Sequence, residues 1–128
     1  MKYLLDTHIL LWLTTDDQKL SNEVRKIVDQ NNCCISSVSI WEVALKFSIG
    51  KLNLDGGLAE FLNAVNDLNF ERIEITDPHL LELSKLVLYP EHKDPFDRLL
   101  IAQAKAEGMK IVTNDKEFKK YDLEIIWN

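Results

Sequence analysis

Short apolar segments alternate with longer segments of helical periodicity along the chain. In the longer segments, apolar residues recur every three or four positions, which is the spacing of one buried helix face. The short segments are typical of strands buried on both faces of a sheet. We predict strands at 2–5, 33–36, 70–75, 110–113 and 124–127, and helices at 8–14, 21–31, 38–48, about 58–67, from 77 towards 89, from 94 to 108, and at 116–121.

Capping residues sharpen several of these boundaries. Ser21 is a good N-cap for the second helix, and Gly50 ends the third. Asp77-Pro78 and Asp94-Pro95 each combine an acidic N-cap with proline at the first helical position. The residue before proline is pushed out of helical space, so Tyr89-Pro90 should end the helix that starts at Asp77.

The alternation of strands and helices predicts an α/β fold. A parallel sheet needs both of its faces covered by helices, so we expect a three-layer α/β/α sandwich with a central, mainly parallel sheet. At 128 residues, we expect a single domain spanning 1–128. In such folds a ligand binds beyond the carboxyl ends of the strands, where the strand order reverses.

Composition narrows the class of protein. Hydrophobic residues make up 46% and charged residues 28%, and no apolar run approaches the roughly 20 residues that cross a membrane. The N-terminus reaches Asp6 too soon for a signal peptide, so we expect a cytoplasmic protein without membrane contact. The adjacent Cys33 and Cys34 are expected to be reduced strand residues. A net charge of −6 argues against a broad basic surface for nucleic acid, but not against a metal-dependent nuclease.

Acidic residues follow several of the predicted strands. Asp6 directly follows the first strand, Asp115 follows the strand at 110–113, and Glu42 lies early in the helix after the second strand. Asp94 and Asp97 open a later helix. If these carboxylates converge at one sheet edge, they require a cation, and hard oxygen ligands select Mg²⁺ or Mn²⁺ over zinc. The chemistry that suits such a site is phosphodiester hydrolysis by a metal-activated water.

Each acid also has a structural explanation. Asp6, Asp94 and Asp115 are placed to cap helices, and Asp97 would complement the helix dipole. Ser39 to Glu42 spells a capping box, and Glu42 is also placed to pair with Lys46.

A comparison within the chain favours Asp97 as a ligand. Asp77-Pro78-His79-Leu80 has the same capping pattern as Asp94-Pro95-Phe96-Asp97, but with Leu80 in place of the acid. Capping therefore explains Asp94 and does not require Asp97.

Four segments make the interpretation specific. They are Leu4-Leu5-Asp6-Thr7-His8, Ile35-Ser36-Ser37-Val38-Ser39-Ile40-Trp41-Glu42, Asp94-Pro95-Phe96-Asp97-Arg98-Leu99-Leu100-Ile101-Ala102-Gln103-Ala104 and Val112-Thr113-Asn114-Asp115. In this order they resemble PIN domains, and in particular the VapC toxins of bacterial toxin–antitoxin pairs, over essentially the whole chain. The resemblance places the family's four acids on Asp6, Glu42, Asp97 and Asp115. It implies a PIN-like fold, Mg²⁺-dependent cleavage of RNA, homodimerisation and inhibition by a cognate antitoxin.

Further residues stand beside this quartet. Asp94 is an acid that the family's minimal four-acid pattern does not include. It is either an additional acid beside the site or only a helix cap. Thr7 and Asn114 flank acids and are secondary candidates, although a cap and a turn explain them better. We expect His8, His79 and His92 in loops or on the surface, without a catalytic role. The candidate RNA-contacting residues are Lys46, Lys51, Arg98 and Lys116.

Two other metal-dependent α/β classes fit less well. A signalling receiver domain needs an acidic pair after the first strand and a phosphoacceptor aspartate after a middle strand, and neither is evident. A phosphatase with an aspartate nucleophile needs Asp-x-Asp, but His8 stands two residues after Asp6. A PIN-like module that binds without catalysis remains open, although the complete acidic quartet argues against it.

Overall fold

A computed structural model describes residues 2–30 and 32–128. Its centre is a five-stranded sheet in the order β3-β2-β1-β4-β5, with every neighbouring pair parallel. The strands are β1 Tyr3–Leu5, β2 Cys33–Ser36, β3 Glu71–Ile73, β4 Lys110–Thr113 and β5 Ile125–Trp127. The predicted α/β fold with a parallel sheet is confirmed.

Helices connect the strands and cover both faces of the sheet. They are α1 Thr7–Thr15, α2 Asn22–Asp29, α3 Ser37–Ser48, α4 Gly57–Leu68, α5 Asp77–Lys85 and α6 Pro95–Glu107, with 3-10 turns at Asp17–Lys19 and Lys116–Lys120. Residue 31, the predicted end of the second helix, lies outside the described residues. No helix in the described ranges has the length and apolar character needed to span a bilayer.

Two hydrophobic cores lie on opposite faces of the sheet. Leu5 and Val112 face one core, which contains α1, α2 and α4 residues, whereas Leu4 and Ile111 face the other, which contains α6 residues. Successive strand residues point to opposite faces, so strands of three or four residues contribute to both cores. The same alternation divides the cysteines, both buried and free: Cys33 faces the first core and Cys34 the second.

The start of α5 differs from the prediction. Thr76 is the N-cap, and its N–H donates to Nδ1 of His79 at 3.1 Å. Asp77 is therefore the first helical residue, and His79 is buried rather than on the surface. The residue of α5 that matches Asp97 of α6 is consequently His79, not Leu80, so the comparison drawn from the sequence was out of register by one residue.

The start of α3 also differs. Ser36 is the N-cap, and its Oγ accepts a hydrogen bond from the Val38 N–H at 3.0 Å. Ser39 lies inside the helix, so the capping box predicted for Ser39 and Glu42 does not form. Glu42 lies in the second turn, where it pairs with Lys46 one turn later. A cap therefore does not explain Glu42.

Candidate active site

The strand order places the site between β1 and β4. From β1 the chain proceeds to β2 and β3 on one side, and then returns to β4 and β5 on the other. The carboxyl ends of β1 and β4 therefore flank the point where the order reverses, which is the usual ligand position in open parallel sheets. Asp6 directly follows β1, and Asp115 follows β4 after one intervening residue.

Asp6 is a helix cap and a buried acid at once. Its Oδ1 accepts a hydrogen bond from the Thr7 N–H at 2.7 Å, and its Oδ2 accepts one from the Thr113 hydroxyl at 2.7 Å. The residue is only 2% exposed, and burial raises the pKa of its carboxyl group to about 6 despite these hydrogen bonds. Burial thus disfavours the negative charge on Asp6, and a bound cation would compensate that charge.

Asp97 lies in the first turn of α6, where its N–H donates to Oδ1 of the N-cap Asp94 at 3.0 Å. Burial of its carboxyl group, together with the negative charges of four other acids, raises the pKa of Asp97 from 3.8 to about 8. Those four acids are Asp6, Asp94, Glu42 and Asp115. The fold therefore brings the other four acids singled out from the sequence within electrostatic range of the Asp97 carboxyl group.

Glu42 reaches the same space from α3. The residue is buried, and its Oε2 accepts a hydrogen bond from the Lys46 ammonium group. Burial disfavours the charge on Lys46, but the hydrogen bond and charge of Glu42, with the charges of Asp94 and Asp97, outweigh burial and raise its pKa. Oε1 of Glu42 is buried and lacks a hydrogen-bond partner among the described residues. An orphaned carboxylate oxygen has open ligand capacity.

Asp115 completes the group and is joined to Asp6 through Thr113. Oδ1 of Asp115 accepts from the Glu117 N–H at 2.9 Å, so this acid also caps the 3-10 turn after β4. Its own N–H donates to Oγ1 of Thr113 at 3.0 Å, and the same hydroxyl donates to Asp6. Thr113 was not predicted as a site residue, although a hydroxyl at the last position of a strand beside the reversal point could have indicated it.

The two secondary polar candidates do not contact the acids through their side chains. The Thr7 hydroxyl donates to Oγ of Ser39 at 3.0 Å, which joins the start of α1 to α3. Asn114 is exposed, and its side chain enters no hydrogen bond within the described part of the chain. Asp6 is the N-cap of α1 and Thr7 is its first residue, so the cap predicted for Thr7 is wrong.

The histidine and basic-residue predictions need correction. His8 is exposed as expected, but His92 is buried and its Nε2 lies 3.0 Å from Oδ2 of Asp97. Arg98 is half-buried and donates to the carbonyl of Val87 at 2.8 Å. Lys46 is half-buried and pairs with Glu42, whereas Lys51 and Lys116 are exposed.

The acids lie near one another, but their carboxyl groups do not meet at a single position. Within residues 2–30 and 32–128, no three His, Cys, Asp or Glu side chains are close enough together to enclose a metal ion. The hydrogen bonds give the physical reason. Asp6 is turned towards Thr113, Asp97 towards His92 and Glu42 towards Lys46.

Comparisons with known proteins agree with the fold. The sequence model of the PIN domain matches residues 3–124. The tRNA(fMet)-specific endonuclease VapC of Shigella flexneri is 27% identical over 124 residues, covering 94% of this chain and 92% of that protein.

Solved structures resemble the chain over almost its whole length. The VapBC2 structure from Rickettsia felis, bound to a promoter DNA fragment, has a TM-score of 0.74 at 19% identity and covers 99% of this chain and 98% of that one. DNA-bound VapBC from Salmonella typhimurium has a TM-score of 0.73 at 19% identity, with the same coverage. The chain belongs to the PIN domain family.

Proposed function

We propose that the protein is a metal-dependent endoribonuclease that hydrolyses RNA phosphodiester bonds with an activated water. The observation that carries the proposal is the environment of Asp97, whose pKa is raised by burial and by four neighbouring acids. Buried like charges of this kind are costly to a fold unless a cation or a proton compensates them. This cluster of acids supports a site for a cation.

The residues present suit a hard divalent ion, Mg²⁺ or Mn²⁺. Asp6, Glu42, Asp97 and Asp115 would hold it, and the orphaned Oε1 of Glu42 supports this assignment. When bound, the ion supplies a Lewis acid and lowers the pKa of a water so that it can attack phosphorus. Asp94 caps α6 and adds negative charge beside the site.

The other side chains prepare the site. Thr113 holds the Asp6 carboxylate by one hydrogen bond and the Asp115 backbone by another, which fixes two acids from adjacent strands. Lys46 partly neutralises the acids and would give up its bond to Glu42 when an ion takes its place. Its ammonium group is then free to bind a phosphate of the RNA.

We propose a structured RNA of the translation machinery as the substrate, with transfer RNA the first choice. The support is the name of the Shigella flexneri relative, a tRNA(fMet)-specific endonuclease. At 27% identity, the choice of tRNA is left to experiment.

The test is cleavage of a panel of purified tRNAs and unstructured RNAs with Mg²⁺, with Mn²⁺ and with EDTA. We expect cleavage to require a divalent ion. Asp6→Asn and Asp97→Asn should each lower the cleavage rate by more than about 100-fold, which is more than the loss of a residue that only hydrogen-bonds to a metal ligand would cost. Asp29→Asn removes one charge from the end of α2, before β2, and should retain full activity. Equal rates in EDTA, or in all variants, would refute the proposal.

One observation favours a second candidate, a PIN-like module that binds RNA without cutting it. The acids do not enclose a metal ion in their described conformations. Calorimetric titration with Mn²⁺ separates the two functions. A nuclease binds the ion with an affinity that Asp97→Asn abolishes, and a silent module shows no such binding while still retaining RNA.

The protein is further proposed to act as the toxin of a toxin–antitoxin pair. The similar structures from Rickettsia felis and Salmonella typhimurium are VapBC assemblies. A groove lies between α1 and α4, and its lining mixes apolar, hydroxyl and acidic side chains: Leu11, Thr14, Leu54, Asp55, Glu60 and Phe61. An antitoxin segment with apolar and basic side chains would fit it.

The groove can be tested once the neighbouring reading frame supplies the antitoxin. Leu11→Lys should weaken the complex, because a charge would face the apolar partner, and should leave RNA cleavage intact. Lys26→Glu on α2 is the surface control. Unchanged affinity in Leu11→Lys would move the antitoxin to another surface.

A further inference from the structure

A chain of hydrogen bonds leads from Arg98 to the carboxylate of Asp97. Arg98 donates to the Tyr121 hydroxyl at 3.4 Å. The Tyr121 hydroxyl lies 2.8 Å from Nδ1 of His92, and Nε2 of His92 lies 3.0 Å from Oδ2 of Asp97. His92 and Tyr121 are 6% and 5% exposed, so bulk water does not compete for these bonds.

The chemistry of the four groups fixes the direction of each bond. A guanidinium group only donates, so the Tyr121 oxygen accepts from Arg98. The Tyr121 proton then goes to Nδ1 of His92, its one remaining partner within the described residues. An Nδ1 that accepts leaves the proton of the neutral ring on Nε2, and Nε2–H therefore donates to Asp97.

The hydrogen-bond chain is attached to the segment between α5 and α6. Arg98 also donates to the carbonyls of Val87, at 2.8 Å, and Leu86, at 3.4 Å. The backbone N–H of His92 donates to the carbonyl of Tyr89 at 3.0 Å, which holds the imidazole at the end of a tight turn. The ring is thus fixed from its backbone as well as from Tyr121.

We propose that His92 is a positioning residue that sets the orientation of the Asp97 carboxylate, and that Tyr121 and Arg98 fix the tautomer of His92 that can do so. The proposal rests on the proposed function, because it assigns His92 a role through a ligand of the metal. One Asp97 oxygen is held by His92, which would leave the other available to hold the ion. Loss of an oriented partner of this kind weakens metal binding by roughly 10- to 100-fold.

Two amide substitutions of His92 make a matched pair. The side-chain nitrogen of His92→Gln reaches the position of Nε2 and can still donate to Asp97. His92→Asn is one methylene shorter, so its amide reaches the position of Nδ1 and leaves Asp97 without a donor. We expect Mn²⁺ affinity near that of wild type in His92→Gln and lowered tenfold or more in His92→Asn, by calorimetry.

Kinetics separate positioning from substrate binding. His92→Asn should lower kcat at a fixed Mn²⁺ concentration while KM for RNA stays within about twofold, because His92 acts on Asp97 and not on the RNA. Tyr121→Phe keeps the ring packing, removes the donor to Nδ1, and should show a smaller loss in the same direction. An equal loss of kcat in His92→Asn and His92→Gln, or a change confined to KM, would overturn the proposal.

A measurement on the metal-free wild type does not depend on catalysis. Long-range ¹H–¹⁵N spectra distinguish the two neutral imidazole tautomers, and we expect the Nε2–H form at His92. The Nδ1–H form would refute the inferred direction of donation even if every variant folded poorly. Absence of Mn²⁺ binding in wild type would refute the proposed function, whereas equal Mn²⁺ binding by wild type and a folded His92→Asn would refute only the role of His92.

Discussion

Asp97 is the side chain in which the unfavourable electrostatic energy of the clustered acids is greatest. Its carboxyl group is 15% exposed and is surrounded by four other acids. Without a divalent ion, the folded protein relieves this cost by keeping a proton on the carboxyl group. The same arrangement that prepares the site for a cation therefore makes the metal-free fold sensitive to pH.

The metal-free protein should lose stability as pH rises from about 4 to about 8. In the unfolded chain both acids release their protons near 3.8, whereas folding raises the pKa of Asp6 to about 6 and that of Asp97 to about 8. Between these values the folded state binds more protons, so raising the pH favours unfolding. The free-energy cost is on the order of 1.4 kcal/mol per unit of pKa difference, reduced by solvent screening.

Urea unfolding in EDTA across this pH range measures the effect. Asp97→Asn has no proton to lose, so its stability should depend less on pH and exceed that of wild type at pH 8. Excess Mn²⁺ should remove most of the pH dependence of wild type. A wild-type protein whose stability is flat from pH 4 to 8 in EDTA would show that the acids are not mutually repelling.

Some residues of the site can be recognised from the sequence, whereas others cannot. Asp6 and Asp115 were identified because they follow strands, and position in a parallel sheet is a consequence of strand order. Thr113 and His92 were missed because a threonine ending a strand and a histidine before a helix have ordinary local explanations. Their contacts with Asp6 and Asp97 depend on side-chain directions that local periodicity does not contain.

The first turn of α6 is the element that brings the third acid into place. The Asp94 side chain accepts from the Asp97 N–H, so the cap and the proposed ligand share one hydrogen bond. Asp94→Ala removes this bond and should destabilise the protein by about 1 kcal/mol, whereas Asp94→Asn keeps an amide oxygen as the cap and should cost far less. Thermal unfolding measures both.

Activity distinguishes a cap from a ligand. Asp94→Asn should retain most of the cleavage rate, and Asp97→Asn should abolish it. Equal losses in the two variants would show that Asp94 is a ligand and that the third acid was assigned incorrectly.

The register of helix starts shows where sequence patterns lose precision. Both α5 and α6 begin at an Asp-Pro pair, but Asp94 caps α6 whereas Thr76, one residue earlier, caps α5. The buried His79 accounts for the difference, because its ring accepts the Thr76 N–H and makes threonine the better cap. The assignment of Asp97 now rests on its own environment rather than on the contrast with Leu80.

At the scale of the whole molecule, α3 exposes an apolar stripe that we propose as the contact of a homodimer. Trp41, Leu45 and Ile49 lie one turn apart and are 54%, 40% and 56% exposed. Leu45→Glu should shift the protein from dimer to monomer in sedimentation velocity, because a buried unpaired charge is costly. Lys26→Glu on α2 is the control, and a dimer that survives Leu45→Glu would place the interface elsewhere.

The net charge of −6 sets how the whole protein meets RNA. A phosphate backbone is repelled by an acidic surface, so the protein cannot rely on the counterion release that drives binding by basic proteins. Under the proposed function, ions held by the acids would reverse the charge where a scissile phosphate would lie. RNA affinity should therefore be weak in EDTA and rise by at least about tenfold with Mg²⁺ or Mn²⁺.

Fluorescence anisotropy of a labelled RNA measures this, at low temperature and at times when a gel shows the RNA intact. KCl at matched ionic strength separates an ion bound in the site from general screening, which acts over about 10 Å at 0.1 M salt. Asp97→Asn should lose most of the divalent effect, and Asp29→Asn, with the same change in net charge, should keep it. A rise of equal size in KCl, or in Asp97→Asn, would mean that divalent ions act on the surface as a whole and not through the acidic site.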